Sequence, residues 1–445
     1  MASNSSVVGG LPPLPSYTLT PRPPLVSFIP DNILALILPI VAYWAVSMIF
    51  HYIDVNDYFS EYRLHTPAEL LKRNHVSRAD VVRDVLLQQF IQTIAGLGLA
   101  WFDEIESLGK EEYSVAVWAR RIRIVQTVVP ALLGIVGVDS VGLSKNLSGH
   151  PDLAGFLAGG SYPDLLQTWI LENGAEVVAP AFAGWELAAA NLLYWYLIPA
   201  LQFLVAIVIV DTWQYFWHRA MHVNRWLYGK CRPYGSKRQP TDLEPVKFHS
   251  RHHRLYVPYA FGALYNHPIE GFLLDTAGAG VAFLVTRLTF RQAMWFFTMS
   301  TIKTVDDHCG YHFPWDPLQL ITSNNAAYHD IHHQSWGIKT NFSQPFFIFW
   351  DRLMDTRWQG DVTLKYERAR TAAEKQIELE RTQNNGLPVD GPLDTEPGPL
   401  DAGNPESDAR TSQDQREKVP RKIFTRATRS ASRRSHGVNN SIRQK

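Results

Sequence analysis

Between Leu187 and Val210 the chain runs for 24 residues with no Asp, Glu, Lys, Arg or His. As a helix this run is about 36 Å long, more than the roughly 30 Å hydrocarbon core of a bilayer. It therefore reads as a membrane-spanning helix, and its neighbours follow the same logic. Ile33 to Tyr52 is free of Asp, Glu, Lys and Arg. Val85 to Phe102 is also uncharged but carries three Gln, a weaker span. Two shorter apolar pieces, Phe272 to Thr286 and Gln292 to Ile302, are separated by Arg287 and Arg291 and predict a hairpin that returns the chain to the side it left. Ile124 to Val138 is too short to cross and predicts an interfacial or re-entrant segment.

Lys and Arg orient these spans. Residues 211–254 carry nine and residues 54–84 carry five, which places both in the cytosol and the N-terminus in the lumen. Arg120, Arg121 and Arg123 run against that arrangement. No cleavable signal peptide is expected from the Pro-rich first 30 residues. Asn4 and Asn146, in Asn-X-Ser sequons, are topology markers for the lumenal side, and Asn341 is the marker for the opposite arrangement.

Four histidine boxes follow the longest span: His218 and His222 in HRAMH, His249, His252 and His253 in HSRHH, His308 and His312 in HCGYH, and His329, His332 and His333 in HDIHH. Residues four apart share a helix face, so HxxxH offers two imidazoles to one ion or to two adjacent ions. In HxxHH the first and second His are expected to share a face and the third to turn away, so that one segment reaches two metals. Ten imidazoles suit a binuclear site. HRAMH begins seven residues after Asp211, just beyond the span, which places the metals above the membrane surface. His267, Asp211, Glu270, Asp307 and Asp330 are candidates for orienting ring N–H groups, and each is equally suited to a structural role. Cys309 is expected to be filler.

Composition excludes other classes. Lys plus Arg and Asp plus Glu balance at 42 each, which argues against nucleic-acid binding. Two cysteines make neither a disulfide framework nor a Cys-based zinc scaffold. HExxH is absent, which disfavours a zinc peptidase, and the long span lacks the carboxylates and His of a typical transporter. Imidazole suits iron, zinc and copper alike; oxygen activation by iron is the remaining use of ten imidazoles around two metals at a membrane.

The order HxxxH, HxxHH, HxxxH, HxxHH resembles the fatty acid hydroxylase and sterol desaturase superfamily. Residues 51–82 together with DTWQYFWHRAMH, KFHSRHHRLYVPYAFGALYNHPIEG and WDRLMDTRW are most similar to fungal sphinganine C4-hydroxylases, over residues 30–360. The resemblance implies a multi-pass, non-haem di-iron enzyme of the endoplasmic reticulum with a cytosolic catalytic face. Its ligands would be the ten box histidines, with another divalent metal able to replace iron in purified protein. It implies O2 and NAD(P)H-derived electrons, delivered by cytochrome b5 and its reductase, and a long-chain sphingoid base or ceramide as substrate. A sterol methyl oxidase or sterol C5-desaturase is the rival within the superfamily; a membrane metal transporter or metal-binding scaffold is the rival outside it.

The expected fold is therefore all-α, an integral membrane helical bundle with a cytosolic, histidine-rich di-metal cap. A Pro-rich segment (1–32) precedes transmembrane and interfacial helices (33–210), a catalytic module with the four boxes and the hairpin (211–360), and a charged, largely disordered tail (361–445). In that tail, 390–414 holds seven acidic residues to one basic, and 416–445 ten basic to one acidic. The basic end is expected to be solvated or to touch anionic lipid.

Overall fold

A computed structural model describes residues 10–102, 106–147, 149–170, 174–229 and 248–384. Three of its helices are long and apolar enough to cross a membrane: α1 (Asp31–Val55), α5 (Gly184–Val223) and α6 (Pro268–Thr286). Beside them run α3 (Arg78–Trp101) and α7 (Phe290–Asp307). The uncharged stretch expected as a weaker span forms α3, but its glutamines lower its hydropathy. Gln88 and Gln89 are buried, and Gln89 accepts from Trp44 Nε1 on α1 at 2.9 Å. The outward faces of the bundle stay apolar, as with Leu201, Leu204 and Val208 on α5, each more than half exposed. In lipid such a face needs no polar cover.

The two ends of the bundle are chemically distinct. At one end β1 (Thr20–Pro21) pairs antiparallel with β2 (Ser107–Leu108), and Arg291 at the start of α7 bonds Asp31 at the start of α1 at 2.8 Å. The histidines gather at the other end, where the segment after α1 is stitched to them: Leu64 N–H donates to Gly310 O and His312 N–H to Tyr62 O, each at 2.9 Å. The N-terminal strand and the histidine boxes thus occupy opposite ends. α6 and α7 form the returning hairpin, turned at Arg287 in the left-handed region (φ 52°) and restarted by a Thr289–Gln292 capping box.

α5 is 40 residues long, about 60 Å at 1.5 Å per residue, so it outruns the bilayer core and carries HRAMH beyond it. Its only irregularity is a π turn at Leu193–Leu197, immediately before Pro199. Proline has no N–H for the carbonyl four residues back, and the wider turn absorbs that loss.

The three contrary arginines lie on α4 (Glu111–Gln126), at the end away from the histidines, and each is committed there. Arg123 is buried and paired with the buried Glu186 at the base of α5, Nε to Oε1 at 2.6 Å, with a further bond from its Nη2 to Ala181 O at 3.0 Å. Arg120 donates to Pro12 O and Arg121 lies 4.4 Å over the Trp118 ring. These charges brace the cap of the bundle. Residues 124–138 leave α4 for a short helix, Val129–Ile135, whose Ile135 and adjoining Val136 are largely exposed, the pattern of an interfacial segment. Asn146 is exposed at this end, whereas Asn341 is buried and bonded to Tyr328 O, unavailable for modification; Asn4 lies outside the described residues.

Within the charged C-terminal segment, Val362–Asn384 forms α9, which packs on α2 (Pro67–Arg73). The remainder of the tail, and Lys230, Arg232, Lys237, Arg238 and Lys247 of the basic loop, lie outside the described residues.

Removing one partner of a buried ion pair costs about 3–5 kcal/mol. Arg123→Ala is expected to lower the thermal transition in detergent well below that of Arg120→Ala; equal transitions would contradict the bracing role.

Candidate metal centre

Nine histidines converge in two adjacent groups at the end of α5. His218, His222, His249, His253 and His332 have ligand nitrogens within 4.8 Å of one another, and so do His252, His308, His329 and His333. All nine are buried. His218 and His222 share a face of α5; His249, His252 and His253 come from a single 3-10 segment, His249–Arg254; His308 caps the end of α7; His329, His332 and His333 come from α8 (Ala326–His333).

The HxxHH boxes do not divide as their spacing suggested. The first and third His of each box go to one group, and the second crosses to the other: His249 and His253 against His252, His329 and His333 against His332. On α8 the i+4 side chain is rotated about 40° from the first and the i+3 side chain about 60° the other way. The two boxes are therefore reciprocal, each giving two rings to one group and one to the other.

His312 is not brought to either group. α7 ends at Asp307, His308 is its C-cap, and Gly310 turns the chain with φ 79°, so HCGYH is not helical and His312 points out exposed. One face cannot carry both rings of a box that lies across a turn.

Ring orientation is set behind the site. Nδ1 of His218 bonds Phe342 O (2.9 Å), His252 bonds Tyr265 O (3.0 Å), His308 Thr304 O (2.8 Å), His332 Thr340 O (2.7 Å) and His333 Leu255 O (2.9 Å). A carbonyl only accepts, so each Nδ1 carries the proton and each Nε2 is left with a lone pair. Those Nε2 atoms face one another: His222–His218, His253–His222, His308–His329 and His329–His333 at 3.2 Å, His249–His253 at 3.0 Å and His249–His222 at 2.6 Å. His332 Nε2 is buried without a hydrogen-bond partner. Two nitrogens on one metal at about 2.1 Å stand roughly 3.0–3.4 Å apart, so converging lone pairs at this spacing fit a cation and little else. Burial pushes the rings toward the neutral, ligating form: His249 and His308 are held down to about 3, the latter also by the neighbouring His252, and His252 to about 4.

Of the five supporting candidates, Glu270 alone bonds a ring of either histidine group, with Oε1 2.5 Å from His249 Nδ1. Asp211 accepts from the Phe346 and Phe347 N–H groups, Asp307 pairs with Lys303 and accepts from Asn324, and His267 caps the start of α6. Asp330 reaches away from the metals into a buried network. His65 bonds it through Nε2 (2.9 Å) and Glu69 through Nδ1 (3.0 Å), and Tyr366 of α9 donates to it at 2.5 Å. His65 and the carbonyl acceptors were missed by the sequence reasoning. His65 stands outside every box, its one local signal being Glu69 four residues on.

Cys309 is buried and free, and its Sγ lies against Tyr311 O rather than either histidine group.

The buried His65 ring carries a charge. Burial opposes it, but Asp330 and Glu69 outweigh burial and hold the ring up to about 9, while His65 and Arg73 hold Glu69 down to about 2 against its own burial. A raised His contributes stability fully below its unfolded value near 6.5 and loses it as pH rises through 9. His65 should therefore cost the wild type stability between pH 6.5 and 9, on the order of 3 kcal/mol from a shift of this size, and in a melting series His65→Gln should lose less over that window than wild type by about that amount.

The fatty acid hydroxylase family signature matches residues 203–356, from the middle of α5 through all four boxes to Thr356. The sphingolipid C4-hydroxylase SUR2 of Saccharomyces cerevisiae is 40% identical over 365 residues, 82% of this chain and 83% of its own. Sphinganine C4-monooxygenase 2 of Arabidopsis thaliana is 35% identical over 74% of this chain and 88% of its own. The very-long-chain aldehyde decarbonylase GL1-9 of Oryza sativa subsp. indica is 34% identical over 77% of this chain and 95% of its own. No solved structure matches. With relatives this similar along most of its length, the chain belongs to the fatty acid hydroxylase family.

Proposed function

We propose that this protein is a membrane di-iron monooxygenase that hydroxylates C4 of a long-chain sphingoid base. The observation that carries the reading is the placement of two facing histidine groups around a small pocket that shares wall residues with an apolar cavity inside the bundle, in a chain whose relatives bear C4-hydroxylase names. The proposed ligands are His218, His222, His249, His253 and His332 for one iron and His252, His308, His329 and His333 for the other. When bound, the iron pair would supply the dioxygen activation that breaking an unactivated C–H bond requires. Electrons would come from NAD(P)H through cytochrome b5 and its reductase, at a cytosolic face of the endoplasmic reticulum membrane.

The chain's own residues hold and exclude. The backbone carbonyls behind five of the rings, and Glu270 behind His249, aim those imidazoles inward, so little reorganisation is needed on metal entry. The cavity, about 170 Å³, runs between α1, α3, α6 and α7 and is walled by Leu36, Tyr43, Leu99, Phe296 and Phe297 among others. It shares Gln214, Asp275, Thr304 and Pro345 with the smaller pocket beside His218, His252 and His308. An alkyl chain entering from bilayer depth would lie in the apolar part with its functionalised end at the histidines, and water would be kept from the reacting carbon.

The test is chemical. Cells carrying the gene should contain 4-hydroxylated long-chain bases that a deletion removes; unchanged bases with an accumulated sterol precursor would transfer the reading to a sterol oxidase. In reconstituted protein His252→Ala and His332→Ala should each lose about 100-fold or more of turnover together with bound iron, while His312→Ala should stay within about twofold of wild type. Loss of activity and iron in His312→Ala would return it to the ligand set.

Chain length should be read along α6. Gly280, on the cavity wall five residues deeper than Asp275, has Leu99 Cδ1 only 3.4 Å from where a Cβ would stand. Gly280→Phe is expected to cut kcat/KM for an 18-carbon base about tenfold or more, as the loss of several buried methylenes would, and to spare a 12-carbon base. Equal losses on both would place the chain elsewhere.

A further inference from the structure

We propose that Asp275 is the anchor for the cationic head of the substrate, and that the free long-chain base, with its ammonium on C2, is what the enzyme takes. The inference rests on the hydroxylase reading above and deepens it.

Asp275 sits on the π turn Phe272–Ala277 at the histidine end of α6, within a helix apolar enough to cross the membrane. It lines both the apolar cavity and the pocket beside the histidines. Its carboxylate is poorly satisfied by the protein. Gln214 Nε2 approaches Oδ1 at 3.4 Å and Asn266 Nδ2 approaches Oδ2 at 3.5 Å, both long for a hydrogen bond. Among the described residues no Lys, Arg or His bonds it. The neighbouring charge that acts on it is another carboxylate, Glu270, whose Oε1 is committed to His249 and whose Oε2 is buried without a partner.

An ionisable side chain at membrane depth is costly, faces a cavity when it is kept, and marks what the cavity binds. Here Asp275, Glu270 and Asp307 border the pocket beside the histidines; Asp307 has Lys303, but the described residues offer no cation to Asp275, so its balancing charge is assigned to the ligand. A long-chain base supplies it in the required place. Its ammonium on C2 and hydroxyl on C3 donate to a carboxylate, its alkyl chain follows into the apolar cavity, and C4 lies two carbon–carbon bonds from the anchored C2. Fixing the nitrogen at Asp275 therefore decides which carbon meets the histidine groups. N-acylation removes the charge and leaves Asp275 without a counter-charge among the described residues. The same geometry thus selects the free base over a ceramide.

The experiment uses full-length protein reconstituted with O2, reductant and the electron donor, and compares sphinganine with N-acetylsphinganine in wild type and in Asp275→Asn, which keeps the shape and one acceptor and removes the charge. Wild type is expected to favour sphinganine in kcat/KM. Asp275→Asn should raise KM for sphinganine about 30-fold or more, the scale of losing one partner of a buried charge pair, with iron per chain unchanged and the preference over N-acetylsphinganine abolished. An unchanged preference in the variant, or a wild type that favours N-acetylsphinganine, would overturn the proposal. If the variant fails to fold or to hold iron, wild type decides instead: sphinganine and its 2-desamino analogue differing by less than about threefold would overturn it, and a large preference for sphinganine would support it. Hydroxylation of none of these lipids would overturn the underlying hydroxylase reading, a separate result from a hydroxylase indifferent to Asp275.

Discussion

Neutral imidazoles packed lone pair to lone pair are unfavourable without a cation between them, and the architecture of the histidine end serves to hold them that way. Protein backbone takes the Nδ1 proton of five rings and Glu270 takes the contact with a sixth. Nothing polar is then left for the Nε2 atoms except one another. Six rings held from behind, among nine buried together, commit free energy to one purpose, since a buried polar group without a partner costs on the order of 1–3 kcal/mol. The segments that supply the carbonyls, around Leu255, Tyr265, Thr304, Thr340 and Phe342, are as much part of the centre as the boxes themselves.

The membrane bundle makes that centre reachable from lipid. α5 is long enough to leave the hydrocarbon region and still present His218 and His222 on its last two turns, and the α6–α7 hairpin brings the chain back to the same end with His308 capping α7. α5 and α7 also line the cavity, through Val210 and Gln214 and through Phe296 to Thr304, so they join the histidine end to the apolar wall. The far end is braced separately by Arg123 and Glu186. That pairing explains why three arginines sit where a count of positive charge would not put them: the positive-inside rule weighs charges free to choose a side, and these are bound into structure.

A second buried network lies behind α8. His65, Glu69, Asp330, Gln334 and Tyr366 tie the loop after α1, the fourth box and α9 together. Asp330 lies inside HDIHH, and a glance at the box suggests a role at the metals. Helix geometry sends it the other way, since it falls one residue after His329 and about 100° around the axis. It holds the helix that holds the ligands.

The hydrophobic runs, the hairpin and the boxes were legible because they are local. The length of an apolar segment and the spacing of two histidines on a helix are properties of neighbouring residues, and they were enough to expect a helical membrane bundle with a binuclear histidine site. HCGYH misled because the same spacing across a turn, at Gly310, has no common face. What only the tertiary structure decided is long-range: which ring of each HxxHH box crosses to the other group, that the rings are oriented by carbonyls from distant segments, and that His65 and Asp275 matter at all. A backbone carbonyl has no residue identity to read, and an aspartate in an apolar helix is conspicuous in function only when the fold leaves it without a cation.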